Sequence, residues 1–262
     1  MINIGAISEA GSLLPGGVVL TLLLTVAPLA AGFLLSIPLA LIRSSKPTVS
    51  STIVWAYTYA FRGTPLLVQL FLVYYGLAQL QLVRNSALWL LFRDPFWCAF
   101  IAFTLNSAAH TTEILAGGLR AIPKGQMEAA TSLGLSRSQA FCLIQFPLAF
   151  RIVLPAYTNE VIGMLKASSL ASTITLLEVT GLARQLVAAT FAPYEVFIVA
   201  GLIYLGLTFV VSGLASRLER ALNPLARSPS PSKASKTNRR LGLPALRTAS
   251  DRPANRTGNG TR

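Results

Sequence analysis

The chain has 262 residues, of which 53% are hydrophobic and only 12% are charged, and its mean hydropathy is +0.60. Soluble chains carry about 25% charged residues, so this balance is typical of a membrane protein and excludes a disordered regulator, a disulfide-stapled secreted module and a collagen-like fibre. The formal net charge is +13, but nine Lys and Arg against Asp251 alone fall at positions 227–262, which indicates a basic tail and not a nucleic-acid-binding face.

Five stretches are long and apolar enough to cross a membrane as helices, which takes about 20 residues each. They do not alternate with period two, so membrane strands are disfavoured. Residues 1–17 precede the first stretch and lack the basic start and the cleavage site of a signal peptide. We therefore expect an all-helical membrane protein with a short outer N-terminal segment. The predicted spans are 18–42, 53–82, 96–119, 152–177 and 196–214.

The distribution of Lys and Arg predicts the orientation, because these residues concentrate on the cytoplasmic side of a membrane. They are frequent after the first, third and fifth spans, whereas the opposite side has only Arg84, Arg93 and Arg184. An odd number of spans then places the N-terminus outside and the C-terminus in the cytoplasm. The basic residues of the predicted inner side, besides the tail, are Arg43, Lys46, Arg120, Lys124, Arg137, Arg151, Arg217 and Arg220.

The second span contains residues that weaken a helix. Gly63 and Pro65 follow Arg62 inside this span or at its inner end. Glycine and proline free backbone carbonyls in a membrane helix, and an arginine beside them can bond to those carbonyls or to a neighbouring carboxylate. We predict either a gating element formed by Arg62, Gly63 and Pro65 or a kinked helix with an interfacial arginine.

The third span carries a polar stripe. Asn106, His110 and Glu113 are spaced i, i+4 and i+7, which places them on one helix face. Ionisable groups at membrane depth cost about 2.5–3.5 kcal/mol on insertion scales, so they usually face a partner or a water-filled path. Two interpretations of Glu113 stay open, namely a path residue and a structural ion pair with Arg120. His110 alone is more typical of a packed, hydrogen-bonded histidine than of a ligand.

The fourth span repeats this pattern. Asn159, Gly163 and Lys166 have the same spacing, and Glu160 lies beside the stripe. We hypothesise that the two polar faces meet along one path and that Glu113 and Glu160 favour a cationic solute there, because carboxylates complement ammonium and guanidinium groups. Pairing of Glu160 with Lys166 or with a charge on another subunit is the structural alternative. The predicted path residues are Asn106, Glu113, Asn159 and Glu160.

The longest inner segment before the tail is residues 121–147, and its sequence predicts a helix–turn–helix. Residues 124–133 suit a helix, and Gly134 follows where a left-handed C-terminal cap is favoured. Leu133 and Leu135 flank this turn, and we expect both to be exposed. Two exposed leucines on a stiff turn favour docking of another protein.

The second helix of this segment has its own start and stop signals. Ser136 and Gln139 have the spacing of a capping box, and Pro147 is predicted to end the helix. A DNA-binding helix–turn–helix is disfavoured because the segment is tethered between two spans.

Sequence motifs for chemistry are few. The sequence has no G-x-x-x-x-G-K-[ST] phosphate loop and a single histidine, so we expect no ATP site, no metal site and no cofactor of its own. A membrane enzyme using Lys166 with Ser168 or Ser169 is disfavoured, because residues at i+2 and i+3 are poorly placed for a facing dyad. A channel or a membrane-anchored scaffold is the remaining alternative.

Four motifs follow one another along the chain: Phe61–Gln69; Ala102–Asn106 with Thr111–Ile114; Glu128-Ala129-Ala130 with Gly134, Ile144 and Pro147; and Leu154–Ile162. These motifs resemble those of the permeases of binding-protein-dependent ABC importers, of the polar amino acid family. The inner segment is similar to their EAA loop, although Phe146 stands where the family has leucine. The resemblance runs over residues 15–222 and is greatest to the M-type subunit of the histidine/lysine/arginine/ornithine and opine branch.

The resemblance implies a fold, an assembly and a transport function. The fold is the five-helix, MetI-like type I importer permease over residues 18–222, followed by a disordered basic tail over 223–262. The assembly adds a paralogous permease subunit, two ATP-binding subunits that bind the ATP, and a periplasmic substrate-binding protein, at a bacterial inner membrane with the N-terminus in the periplasm. The coupling residues implied are Glu128, Ala129, Ala130, Leu133, Gly134 and Leu135.

The implied activity is inward transport by alternating access. The branch implies basic amino acids (histidine, lysine, arginine and ornithine) as substrates. Opines such as octopine and nopaline, or other polar amino acids, are the alternative. The wider family often has an acidic residue where this chain has Ala167, and the basic amino acid branch lacks that acid as well.

Overall fold

The computed structural model describes residues 4–45 and 47–222, and within these ranges every regular element is helical. The tail over 223–262, predicted to be disordered, lies outside the described residues. The helices are α1 (Ile4–Leu13), α2 (Val18–Ser44), α3 (Val49–Gly63), α4 (Leu66–Phe71), α5 (Leu77–Gln79), α6 (Gln81–Arg84), α7 (Trp89–Phe92), α8 (Pro95–Arg120), α9 (Lys124–Ser132), α10 (Arg137–Ala140), α11 (Phe146–Ala167), α12 (Val179–Thr190) and α13 (Pro193–Leu222).

Three helical runs are long and apolar enough to cross a membrane, namely Ile4–Ser44, Arg137–Ile174 and Pro193–Leu222. They contain the first and fifth predicted spans and nearly all of the fourth. Helix α8, with 26 residues, covers the third predicted span. It is not one of these three runs, and it carries the polar stripe of the third span. That all five segments cross the membrane stays a prediction.

The second predicted span is not one continuous helix. Helix α3 ends at Gly63, Thr64 and Pro65 are extended, and α4 begins at Leu66. A wide π-helical turn, Leu72–Gly76, then joins α4 to α5. Proline has no N–H to continue the helix, and the residue before it is pushed to an extended conformation.

Helices α2 and α8 pack closely at the centre of the molecule. Gly32 has little room for a side chain, because an added Cβ would lie 3.0 Å from the backbone nitrogen of Ala108. A Cβ added at Gly118 of α8 would likewise overlap the Val153 side chain of α11. Small residues at such crossings allow membrane helices to approach each other. The three helices therefore form a fixed frame for the polar residues that they carry.

A second cluster lies at the start of the chain, where α1 packs against α12 and the first half of α13. The chain reaches α12 through a 3₁₀ turn, Ser168–Ile174, and a left-handed residue, Thr175 at φ 73°. Glu178 caps α12 and is completely buried. Gly17 and Gly181 approach this segment so closely that neither has space for a Cβ.

The inner segment confirms two predictions about its turn. Gly134 has φ +76°, as a left-handed helix cap requires, and the N–H of Leu135 bonds to the Ala130 carbonyl at 3.2 Å. Ser136 and Gln139 form the predicted capping box.

Two predictions about this segment were wrong. Pro147 does not end the second helix, because a π-helical turn over Phe141–Gln145 precedes it and Pro147 falls in the first turn of α11, where a missing N–H is tolerated. Leu133 is 78% exposed, as predicted, but Leu135 is partly buried. Only one of the two leucines is therefore freely available.

Candidate functional site: a polar face at membrane depth

The break between α3 and α4 is stabilised by a glutamine. Pro65 cannot donate to the carbonyl of Phe61, and the Gln69 amide Nε2 donates to that carbonyl instead, at 2.7 Å. The same amide donates to Thr64 Oγ1 at 2.8 Å, and the Thr64 hydroxyl donates to the Ala60 carbonyl at 2.8 Å. Gln69 thus replaces the hydrogen bond that the proline removes, which irregular backbone would require at the predicted membrane depth.

Asn106 of α8 holds this glutamine. Its amide Nδ2 donates to Gln69 Oε1 at 3.0 Å, and the Asn106 side chain is buried. The phenol of Tyr57 donates to the Leu105 carbonyl at 2.6 Å, which connects α3 to α8 as well. The structure therefore places Asn106, a predicted path residue, behind the helix break.

We expect Gln69→Leu to destabilise the permease by about 2–3 kcal/mol, because it removes the shorter of the two bonds to the Phe61 carbonyl and the acceptor of the Asn106 amide, and leaves only the 3.3 Å bond from Asn106 Nδ2 to that carbonyl. Thermal unfolding of the purified protein in detergent should show a midpoint lowered by several degrees. The matched control is Gln79→Leu at an exposed position of α5. Equal midpoints for the two variants would show that Gln69 does not hold the break.

Three ionisable side chains from three helices meet next to this break. His110 Nδ1 of α8 lies 3.8 Å from Glu160 Oε2 of α11, and Arg62 at the end of α3 interacts electrostatically with both. The Glu160 side chain is 14% exposed and that of His110 is 36% exposed. Arg62 itself is exposed and borders an open pocket of about 380 Å³ together with Gly63 and Thr64.

The polar residues of α11 face outward from the described part of the chain. Asn159, Gly163 and Lys166 are all exposed, which confirms that they share a face, and Glu160 lies at its border. From here on, the name polar face is used for the surface formed by four residues of α3, α8 and α11, namely Arg62, His110, Asn159 and Glu160. These groups are expensive to expose to lipid, so they must be covered by water or by another subunit.

Glu113 lies elsewhere, in an ion-pair cluster. Its Oε1 is 2.7 Å from Arg43 Nε and accepts a hydrogen bond from Thr58 Oγ1 at 2.9 Å, while Oε2 is 3.9 Å from Arg120 Nη2. The contact with Arg120 is the structural pair that the sequence left open. Since both oxygens of Glu113 face cationic or hydroxyl groups, Glu160 is the freer of the two carboxylates.

The predicted coupling residues form a separate site on the inner segment. Glu128, Ala129, Leu133 and Gly134 are exposed, whereas Ala130 is buried. The exposed members surround one rigid turn.

Sequence reasoning assigned no role to four residues of these networks. Arg43 and Thr58 reach Glu113 from other helices, Gln69 was quoted only as part of a motif, and Glu178 was not singled out at all. A glutamine four residues after a proline was an available signal for Gln69. No local pattern pointed to Glu178.

Comparison with known proteins identifies the family. Residues 32–224 match the family described as the binding-protein-dependent transport system inner membrane component. The chain is 49% identical to the nopaline transport system permease protein NocM of Agrobacterium fabrum over 86% of its own length and 94% of the relative. It is 41% identical to the histidine/lysine/arginine/ornithine transport system permease protein HisM of Salmonella typhimurium, over 78% of this chain and 87% of the relative.

Solved structures agree with this. An amino acid ABC transporter crystallised with histidines superposes with a TM-score of 0.74 at 32% identity, covering 84% of this chain and 99% of that one. An inward-facing MetNI methionine ABC transporter superposes with a TM-score of 0.67 at 19% identity, over 80% of this chain and 95% of that one, which supports the predicted type I permease fold. This chain belongs to the family of binding-protein-dependent transport system inner membrane components and is a permease subunit of an ABC importer.

Proposed function

We propose that this permease imports amino acids with a cationic side chain, either free or as part of an opine. The observation that carries the proposal is the polar face, where the Glu160 carboxylate lies 3.8 Å from His110 and interacts with Arg62 only at longer range. A carboxylate so placed complements an ammonium or guanidinium group. The names of the relatives fit this chemistry, since nopaline, octopine and arginine share a guanidinium group.

The path runs between this chain and a second permease subunit. Support comes from the exposure of Arg62 and Asn159, which leaves the polar face open on one side of the chain. A paralogous subunit that supplies the other wall would cover these groups and exclude lipid. Substrate delivered by a binding protein on the outer side would enter this path, and alternating access would release it on the side of the inner segment.

The inner segment docks to an ATP-binding subunit in the cytoplasm. Support comes from the exposed Leu133 on a turn fixed by Gly134 and by the capping box. The basic inner loops support an orientation with the N-terminus in the periplasm and the C-terminus in the cytoplasm. Two ATP-binding subunits, one beneath each permease subunit, complete the assembly, and we expect the ATP sites to lie in them.

Glu160→Gln is expected to reduce uptake of arginine and lysine by about tenfold or more, because it removes the negative charge that attracts the cation while preserving the shape of the side chain. The measurement is radiolabelled uptake into proteoliposomes containing the complete transporter with its binding protein. The matched control is Glu219→Gln on α13, whose Oε1 accepts a hydrogen bond from Thr158 at 3.1 Å and which lies outside the polar face.

Assembly is checked separately by copurification of all subunits with the variant. Unchanged uptake of arginine and lysine by an assembled Glu160→Gln transporter would overturn the role of this carboxylate. A panel of basic amino acids, octopine, nopaline and neutral amino acids, read as stimulated ATP hydrolysis, tests the substrate class. Stimulation by neutral solutes alone would keep the importer and reject the cationic substrate.

A further inference from the structure

A second charged pocket lies away from the polar face, where α2 and α8 end and α3 begins. Its volume is about 270 Å³, and it is on the same side of the molecule as the inner segment, because Arg120 directly precedes that segment. The transport path proposed above does not use it. The residues that line it are Arg43, Ser44, Ser45, Pro47, Ser51, Thr52, Trp55 and Arg120.

This pocket has an excess of positive charge. Arg43 and Arg120 both face Glu113, at 2.7 and 3.9 Å, so a single negative charge balances two positively charged guanidinium groups. The bond to Glu113 uses only Nε of Arg43, and the contact of Arg120 is long. The side chains of Arg43 and Arg120 are 24% and 47% exposed, which leaves their remaining N–H donors accessible to an anion.

The rest of the lining suits a phosphate group at a membrane interface. The Ser44 and Thr52 hydroxyls make this wall polar but donate to the Leu41 and Thr48 carbonyls, at 3.1 and 3.2 Å, so the two guanidinium groups are the donors for a phosphate. Trp55 is 47% exposed and stacks on Tyr59 with ring centroids 5.3 Å apart. Such aromatic rings are enriched where lipid headgroups meet the hydrocarbon core.

We propose that this pocket binds the phosphate group of an anionic phospholipid. Guanidinium groups bind phosphate through paired N–H donors, and basic pockets between membrane helices on the cytoplasmic side bind anionic headgroups. The neighbouring surface of α3 favours a lipid over free phosphate, because Val49 is 80% exposed and Ile53 is 65% exposed, in position to contact acyl chains. The cytoplasmic location rests on the proposed orientation.

Lipid binding to the complete transporter tests this proposal. The delipidated complex in detergent is titrated with phosphatidylglycerol or with phosphatidylcholine, and bound lipid is counted by native mass spectrometry without substrate or ATP. We expect tighter binding of phosphatidylglycerol, weakened about fivefold by Arg120→Gln, in line with the contribution of one basic residue. Thr52→Asp, which adds a negative charge at the exposed rim and removes neither guanidinium group, should weaken it similarly.

The controls separate a defined site from diffuse charge. Arg137→Gln removes one exposed positive charge from the inner segment outside the pocket and should leave phosphatidylglycerol binding unchanged. An equal loss with Arg137→Gln, or equal binding of both lipids by the unmodified complex, would overturn the proposal. Displacement of phosphatidylglycerol by millimolar inorganic phosphate would identify a free phosphate site and would also overturn it. None of these outcomes depends on which substrate the transporter carries.

Discussion

Glu178→Ala should prevent the accumulation of folded permease. Glu178 is 0% exposed, and its Oε1 accepts from the Gly181 N–H at 2.9 Å. Its Oε2 accepts from the Thr180 N–H at 2.8 Å and from the Tyr204 hydroxyl at 2.6 Å. Alanine leaves three donors without this acceptor, each at about 1–3 kcal/mol, against a total stability of about 5–15 kcal/mol for a typical domain.

A graded series distinguishes this network from a general effect of mutation. Tyr204→Phe removes one of the three hydrogen bonds to Glu178, together with the 3.3 Å bond that the Tyr204 hydroxyl accepts from Thr180, so it should lower the unfolding midpoint without preventing folding. Glu9→Ala, at an exposed carboxylate on α1, is the control and should behave as the unmodified chain does. Folded yield by size-exclusion chromatography and unfolding in detergent are the measurements. Glu178→Ala protein with the yield and midpoint of the control would contradict the importance of this network.

Leu133→Asp should abolish transport while leaving the permease folded. The leucine is 78% exposed in the described chain, so a charge there costs the fold little. The same charge in a docking groove of the ATP-binding subunit would be desolvated without a partner, which costs several kcal/mol of binding. Copurification of the ATP-binding subunit and substrate-stimulated ATP hydrolysis measure the loss.

Leu82→Asp is the matched control, because Leu82 is 88% exposed and lies on the predicted outer side. We expect this variant to retain its ATP-binding subunit. Full retention of that subunit by Leu133→Asp would remove the inner segment from the docking surface.

The elements that could be predicted from the sequence are those whose causes are local. Gly134 and the Ser136–Gln139 capping box are specified by residues within one turn of each other, and the structure confirms both. Pro147 was misjudged for a reason that is also local. A π-helical turn shortly before the proline lets the helix continue, and such a turn has no distinct pattern of residues in the sequence.

The side-chain networks could not be predicted, because their partners are distant in sequence. Arg43 and Glu113 are 70 positions apart, and Asn106 and Gln69 are 37 positions apart. Helical spacing correctly placed Asn159 and Lys166 on one exposed face, but it does not say what each face meets. The packing of α2, α3 and α8 decides that the carboxylate of Glu113 is held in ion pairs, whereas that of Glu160 stays more accessible.

The unbroken helical run from the inner segment into the membrane has a mechanical consequence. Residues Arg137–Ile174 form 38 helical residues without an intervening loop, and Glu160 lies about 35 Å along this run from its Arg137 end. A displacement applied at the turn around Gly134 would therefore be passed along the helix towards Glu160. Between Arg137 and Glu160 the helix departs from α-helical geometry at the π-helical turn 141–145, so we expect the stiffness of this turn to decide how much of the displacement reaches the carboxylate.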